Sequence, residues 1–361
     1  MKLLLAAGGT GGHVIPALVV AREFRRRDPA RQTLFVGTAR GLESRLVPAA
    51  GFPLELLTIG KLQGQSLGTR LRTLAAMPRA IARAFSILQE FQPHVVLGVG
   101  GYAAGPVMLA AAFRGVPLAV LEPNAYPGLS NRWVAPYVAR AFLAFSEAER
   151  YFLPERSLLT GIPVREEFFA VLPRERRHAQ TASTVLVFGG SQGARRLNQA
   201  VLEALPKLAH SEPALTLLHQ TGESEYNRVR EAVEKHGACA EVVAYLERIW
   251  EAFARADVVV CRAGANTLAE LAAAGRAAIL VPFPSAADQH QLRNAQALER
   301  LGAARVILDR EMNGETLLSA LRELLAHPEQ LSRMEAAMRR LAHPDAASQI
   351  VSELERLAGL N

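Results

Sequence analysis

Four segments carry residues whose type and spacing could do chemistry. Gly8-Gly9-Thr10-Gly11-Gly12-His13 lies between an apolar run and a helical pattern. Glycines there let backbone N–H groups approach an anion closely, and a helix N-terminus favours negative charge. A tight strand-to-helix turn with no ligand would have the same composition. His13 sharpens the functional reading, because imidazole titrates near neutral pH and suits general-base work beside such a loop. Gly189-Gly190-Ser191-Gln192-Gly193-Ala194 repeats the arrangement 181 residues later, with the Ser191 hydroxyl as an extra donor. The third segment is Cys261-Arg262-Ala263-Gly264-Ala265-Asn266-Thr267-Leu268-Ala269-Glu270-Leu271. Glu270 falls early in the predicted helix, where a carboxylate can accept from the vicinal hydroxyls of a ribose while the helix N-terminus faces phosphate. Complementing the helix dipole is the plainer role for it. The fourth, Gly98-Val99-Gly100-Gly101-Tyr102-Ala103-Ala104-Gly105-Pro106, contains a GxGxxA pattern of dinucleotide sites at Gly98, Gly100 and Ala103. Its place in the middle of a domain favours an acceptor pocket lined by backbone, at Gly100, Gly101 and Tyr102.

Metal chemistry has no foothold in the sequence. There is no DxD, no HExxH and no His/Asp cluster, so no carboxylates are set to hold Mg²⁺ or Mn²⁺. Neither a metal nor a cofactor is expected. A leaving pyrophosphate would be neutralised by helix N-termini and by cations such as Arg165. Two cysteines, Cys239 and Cys261, form no CxxC and fit a reducing compartment.

The elements that must position these segments alternate from the first residue. Continuous apolar strands are predicted at Lys2–Ala7, Thr33–Val36, His94–Leu97, Pro117–Leu121 and Ala141–Phe145, with helical patterns between them. The series restarts at Thr184–Phe188 and continues through Leu215–His219, Val242–Tyr245, Val258–Cys261 and Ala278–Val281. Such alternation implies α/β architecture with parallel sheets covered on both faces. Two doubly wound, Rossmann-like domains follow, each opening with its own glycine-rich loop and expected to face the other across a cleft. The Arg-rich stretch Pro173–Ser183 reads as a linker, and Ala346–Leu360 as a closing helix.

The length of 361 residues suits two domains. Half the residues are hydrophobic and 21% are charged, which excludes a disordered chain. Residues 1–160 hold 18 Lys and Arg against 9 Asp and Glu, while the remainder hold 23 against 25. The basic half therefore faces something anionic. Between Lys61 and Phe85 lie Lys61, Arg70, Arg72, Arg79 and Arg83 with no acid, while Leu67, Leu71, Leu74, Ile81 and Phe85 share the other side of a helical wheel. Pro78 should split or kink this segment. A surface helix with its apolar stripe in the core is the bland reading; a contact with anionic headgroups is the functional one. Residues 3–21 and 94–113 lack charge, but their glycines break any signal-peptide or membrane-span pattern.

GGTGGH, VVLGVGGYAAGP, GIPVR, VFGGSQGARRLN, ADVVVCRAGANTLAEL and VPFPSAADQHQLRNA occur in this order over essentially the whole chain. This ordered set resembles the MurG family, the N-acetylglucosaminyltransferases of glycosyltransferase family 28. The resemblance implies a GT-B fold: an acceptor- and membrane-facing domain over 1–162, a UDP-GlcNAc-binding domain over 163–344, and a terminal helix, 345–361, packing back on the first. It implies inverting, metal-independent transfer of GlcNAc from UDP-GlcNAc to undecaprenyl-pyrophosphoryl-MurNAc-pentapeptide, at the cytoplasmic face of the inner membrane without spanning it. By the same resemblance Thr10, Gly11, Gly12, Asn124, Arg165, Ser191, Leu246, Ala265, Asn266, Thr267, Leu268, Ala269, Glu270, His290 and Gln291 contact the donor. His13 and Glu122 are the candidate catalytic residues. The sequence departs from the family at Leu121, often His, and at His290-Gln291, often Gln-Gln.

Other readings stand beside this one. A non-catalytic dinucleotide-binding protein would rest on the GxGxxA pattern alone. Another UDP-sugar transferase of the same fold would use a different lipid or small-molecule acceptor. Nucleic acid is not an expected partner, since aromatic stacking platforms and Lys/Arg runs are missing.

Overall fold

The computed structural model describes residues 1–39, 41–60, 67–173, 183–190, 192–209, 215–286 and 289–360, with the backbone alone for 67–74. The chain divides into two compact units, Met1–Val164 with His343–Asn361, and Arg165–Ala342.

The first unit is built on seven strands: β1 (Lys2–Ala7), β2 (Gln32–Gly37), β3 (Leu54–Leu56), β4 (Val95–Gly100), β5 (Leu118–Glu122), β6 (Arg140–Leu143) and β7 (Ser157–Leu159). They pair in parallel in the order β3-β2-β1-β4-β5-β6-β7. Helices α1 (Gly11–Arg27), α2 (Glu43–Ala49), α3 (Leu67–Phe91), α4 (Ala104–Phe113) and α5 (Leu129–Val134) connect them, and α14 (Ala346–Leu357) joins from the chain's end. Alternate residues of each strand go to opposite faces. Leu3, Leu5, Val95, Leu97 and Leu121 meet Val14 and Phe24 of α1 and Ile350, Val351 and Leu354 of α14. Leu4, Ala6, Val96 and Val120 meet Ala84, Ile87 and Leu88 of α3 and Val107 and Met108 of α4. Burying the three α14 side chains stabilises by about 1.5–3 kcal/mol each. Ion pairs fix the helix in azimuth: Glu355 binds Arg27 at 2.7 Å and Arg31 at 2.5 Å, and Glu353 binds Arg140 at 3.2 Å.

The second unit has six parallel strands: β8 (Ser183–Phe188), β9 (Leu215–Gln220), β10 (Ala240–Val243), β11 (Val258–Cys261), β12 (Ala278–Leu280) and β13 (Ala304–Val306). Their order is β10-β9-β8-β11-β12-β13. Its helices are α6 (Glu166–Phe169), α7 (Arg195–Leu208), α8 (Tyr226–His236), α9 (Ile249–Arg255), α10 (Ala265–Ala274), α11 (His290–Arg300), α12 (Gly314–Ala326) and α13 (Pro328–Arg339). In both sheets the chain reverses direction beside the first strand of the unit, so loops splay apart at that strand's carboxyl end.

Several elements differ from their sequence reading. The edge strands β3, β7 and β13 have three residues each, too few to show a period. Strand β10 lies two residues earlier than read, because its register is set by pairing Ala240 with Leu217; Tyr245 falls in the following loop. Strand β4 runs on through Gly98 to Gly100 instead of turning at Gly98. The reason for glycine at 98 is space: a Cβ there would lie 2.0 Å from the Met108 Sδ of α4. Helix α3 is one continuous helix with Pro78 inside it, not two, since proline deletes one hydrogen bond while the packing of Ala80, Ala84, Ile87 and Leu88 persists. The stretch read as a linker falls largely outside the described residues, as do Lys61, Ser191 and the side chains of Leu67, Arg70, Leu71, Arg72 and Leu74.

Candidate functional site

In the first unit three loops converge at the carboxyl ends of β1, β2 and β4. The loop after β1 turns at Gly9 and enters α1 at Gly11, with Thr10 extended as the N-cap. His13 sits in the first turn. Its backbone N–H donates to the Thr10 carbonyl at 3.1 Å, and its Nδ1 lies 3.4 Å from the Thr10 Oγ1. The imidazole rests on Gly100, where a Cβ would come within 2.9 Å of its Cδ2. At Gly101 φ is +89°, and a Cβ would come within 1.9 Å of the Gly8 carbonyl oxygen, so only glycine lets the two loops touch here. A Cβ at Gly9 would lie 3.4 Å from the Tyr102 ring. Thr10, His13, Gly100, Gly101 and Tyr102, which lie in two sequence segments, thus form one cluster. Gly11 and Gly12 open α1 beside it.

Glu122 ends β5 and is buried. Its Oε1 accepts from the Asn124 backbone N–H at 2.9 Å and from Asn124 Nδ2 at 3.2 Å. Its Oε2 accepts from the Gly128 N–H and from Asn131 Nδ2, both at 2.9 Å. Burial raises its pKa above the usual carboxylate value, against the pull of these four hydrogen bonds. With both oxygens occupied, Glu122 ties the loop 123–131 and sets Asn124; this geometry suits a positioning role better than proton abstraction.

Sequence reasoning missed Glu43, the first residue of α2. It is fully buried and ties the β1 and β2 loops together. Only a lone acid, two residues after Gly41 and six after Gly37, marks it in the sequence.

In the second unit the glycine-rich loop after β8 is clasped by the end of β9. The Gln220 Nε2 donates to the Gly190 carbonyl at 2.7 Å. Gly193 has φ of +73°, and a Cβ on it would come within 1.8 Å of the Thr221 carbonyl oxygen. Asn198 of α7 completes the clasp: its Nδ2 donates to that same carbonyl at 2.9 Å, and its Oδ1 lies 3.0 Å from His219 Nε2. Burial holds the His219 pKa down to about 4, so this imidazole is neutral near pH 7 and serves as a fixed donor.

Glu270 and Arg165, 105 residues apart, come together as an ion pair at 3.4 Å. The Arg165 guanidinium also lies over the Trp250 ring, 4.8 Å from its centroid, and over Phe168 at 5.2 Å. Burial pushes the Glu270 pKa up to about 7, with Arg165 opposing. Glu270 raises the pKa of the adjacent Cys261 thiol, which burial already pushes up. Ala265, Asn266 and Thr267 open α10, where the first N–H groups have no intrahelical partner. Leu268 differs: its side chain is buried and its N–H donates to the Gly264 carbonyl at 3.0 Å. Ala269 follows it and Leu246 is half-buried after β10. His290 begins α11, and the Gln291 Oε1 accepts from the Phe283 N–H at 2.9 Å, which orients its amide N–H groups outward from that bond. Arg262 steadies the same segment through Asp309 at 2.5 Å and the Val281 carbonyl at 3.1 Å.

The helices α3, α4 and α5 share one face of the first sheet. Phe113 is 78% exposed there, and Trp133 and Tyr137 are also exposed. Arg79 is exposed as expected, but Arg83 is not a bare cation: it pairs with Glu55 at 2.9 Å and Glu90 at 3.6 Å. Among the described residues no helix is long and apolar enough to cross a membrane.

Residues 3–143 match the glycosyltransferase family 28 N-terminal domain, and residues 184–350 the family 28 C-terminal domain. The chain is 43% identical to a UDP-N-acetylglucosamine--N-acetylmuramyl-(pentapeptide) pyrophosphoryl-undecaprenol N-acetylglucosamine transferase of Geotalea uraniireducens, over 92% of this chain and 91% of that one. It is 45% identical to the protein of the same name from Myxococcus xanthus, over 93% and 87%. The crystal structure of Acinetobacter baumannii MurG superposes with a TM-score of 0.78 at 27% identity, covering 99% of this chain and all of that one. Matched in both of its domains and along more than nine-tenths of its length, the chain belongs to glycosyltransferase family 28.

Proposed function

We propose that this protein transfers N-acetylglucosamine from UDP-GlcNAc to the 4-hydroxyl of the MurNAc unit on undecaprenyl-pyrophosphoryl-MurNAc-pentapeptide. The observation that carries the reading is its 43–45% identity, over more than nine-tenths of the chain, to transferases of that name. His13 accepts the proton of the acceptor hydroxyl as its oxygen attacks the anomeric carbon. The bond from that carbon to the donor phosphate breaks, UDP leaves with the electron pair, and configuration inverts in a single displacement. The contact of Thr10 Oγ1 with Nδ1 supports this role, because it orients the ring about its other nitrogen.

The second unit holds the donor. Glu270 accepts from the ribose hydroxyls, while Arg165, Ser191 and the opening N–H groups of α10 stabilise the departing pyrophosphate, with no metal required. Leu246 presents backbone to uracil, and His290 with Gln291 reads the sugar hydroxyls. Gly100, Gly101 and Tyr102 belong to the acceptor side. The exposed aromatic residues and Arg79 of the first unit support peripheral attachment to the anionic cytoplasmic face of the inner membrane.

The test is incubation with UDP-GlcNAc and a short-chain lipid acceptor in EDTA, following UDP release. Turnover is expected, and His13→Ala should lower it about 10²-fold while UDP affinity stays near wild type. No UDP release from the wild-type chain in the presence of acceptor would overturn the proposal.

A further inference from the structure

Glycine-rich loops of this kind are usually built around an anion that arrives with the ligand. The loop after β1 instead already holds one of the protein's own. The Glu43 carboxylate is fully buried, and its Oε2 accepts from the Gly9 N–H at 2.8 Å. Its Oε1 accepts from the Thr38 N–H at 2.7 Å and the Thr38 hydroxyl at 2.9 Å. The Gly9 carbonyl is held by the same segment, through the Leu42 N–H at 3.3 Å. Three glycines from three places make room for this one side chain. A Cβ on Gly37 would lie 2.4 Å from its Cγ, one on Gly41 1.9 Å from Oε2, and one on Gly8 2.8 Å from Oε1.

We propose that Glu43 is a positioning residue for the transfer reaction, holding the Gly9 N–H while the adjoining Leu42 N–H holds the Gly9 carbonyl, and thereby placing Thr10 and His13. The connection is short. Gly9 is fixed at a positive φ, Thr10 follows directly as the N-cap of α1, and Thr10 contacts His13 through both its carbonyl and its hydroxyl. No other side chain among the described residues accepts from Gly9, so the angle at which the chain enters α1 depends on this carboxylate. Shape alone does not explain the choice of glutamate. Glutamine would fill the same space, but its amide nitrogen would turn an N–H against either the Gly9 or the Thr38 N–H.

The inference rests on the reading of His13 as the base, and the experiment separates the two. The full-length enzyme is assayed by UDP release with UDP-GlcNAc and a short-chain lipid acceptor, as wild type, Glu43→Gln, His13→Ala and the double variant. Glu43→Gln should lower kcat by about 10- to 10²-fold, the scale of a misplacement near 1 Å. Its KM for UDP-GlcNAc should change less than kcat, since Glu270, Arg165, His290 and Gln291 in the second unit keep their geometry. In the His13→Ala background the same change should have almost no further effect on kcat, because both substitutions remove one function. Equal losses in the two backgrounds, or an unchanged kcat in Glu43→Gln, would overturn the proposal. Retained kcat in His13→Ala with loss in Glu43→Gln would instead remove His13 as the base and leave Glu43 positioning the loop for another group. If Glu43→Gln does not fold, Thr38→Val decides. It deletes only the 2.9 Å hydroxyl bond to Oε1, and the same cycle with His13→Ala must show a loss of kcat that vanishes in the His13→Ala background; an additive loss or none overturns the inference.

Discussion

Glu270→Gln should change how the stability of the second unit depends on pH. The wild-type carboxyl is buried and its pKa is pushed up from 4.5 to about 7, with Arg165 at 3.4 Å offsetting part of the burial. Between those two values the folded chain keeps a proton that the unfolded chain has lost. Unfolding free energy therefore falls as pH rises from about 4.5 to about 7, and levels above that. Moving one carboxyl over this range corresponds to roughly 3 kcal/mol, at about 1.4 kcal/mol per pH unit. Glutamine has no proton to lose. The wild type should thus lose roughly 3 kcal/mol relative to Glu270→Gln between pH 4.5 and 7.5. Urea unfolding followed by Trp250 fluorescence, in a Trp133→Phe background that leaves one tryptophan, reads the second unit. Saturating UDP-GlcNAc should flatten the difference, because ribose hydroxyls donating to Glu270 favour the carboxylate. A wild-type-minus-variant difference that stays constant with pH would refute the buried-carboxyl reasoning.

Three other outcomes are expected. Glu270→Ala should weaken UDP-GlcNAc binding by about 1–3 kcal/mol in calorimetry, the range for hydrogen bonds to a charged group; unchanged affinity would take Glu270 out of the donor site. Gly101→Ala should destabilise the first unit by about 3 kcal/mol or more, combining φ of +89° with a Cβ driven onto the Gly8 carbonyl; an unfolding midpoint equal to wild type would contradict that packing. Binding to anionic vesicles should fall with salt, and Arg79→Glu should weaken it more than Arg83→Glu, because Arg83 is already paired with Glu55; each free cation contributes up to about 1 kcal/mol. Equal partition to neutral and anionic vesicles would sink the electrostatic attachment.

Much of this was legible from residue order alone. Strands buried on both faces are continuous apolar runs, so Lys2–Ala7 and Val258–Cys261 were read to the residue. Glycines bounded by a strand and a helix marked both loops, and the order of six motifs indicated the family. These signals are local, or they depend only on sequence separation.

What the tertiary structure decided is which side chains meet. Glu43 looks like any helix-opening acid until β2 is laid beside β1, which brings Thr38 and Gly9 to its two oxygens. The four hydrogen bonds that Glu122 accepts from the loop 123–131 exist only once that loop folds back onto it. Gly98 matches a dinucleotide pattern in one dimension, but in three it makes room for Met108. Arg165 and Glu270 become partners only when the chain between them has built a sheet. Hydrophobic periodicity records which face of an element is buried. It carries no record of which distant polar group lies opposite, because hydrogen bonds and ion pairs are fixed by distances of a few ångströms that only the packed strands and helices set.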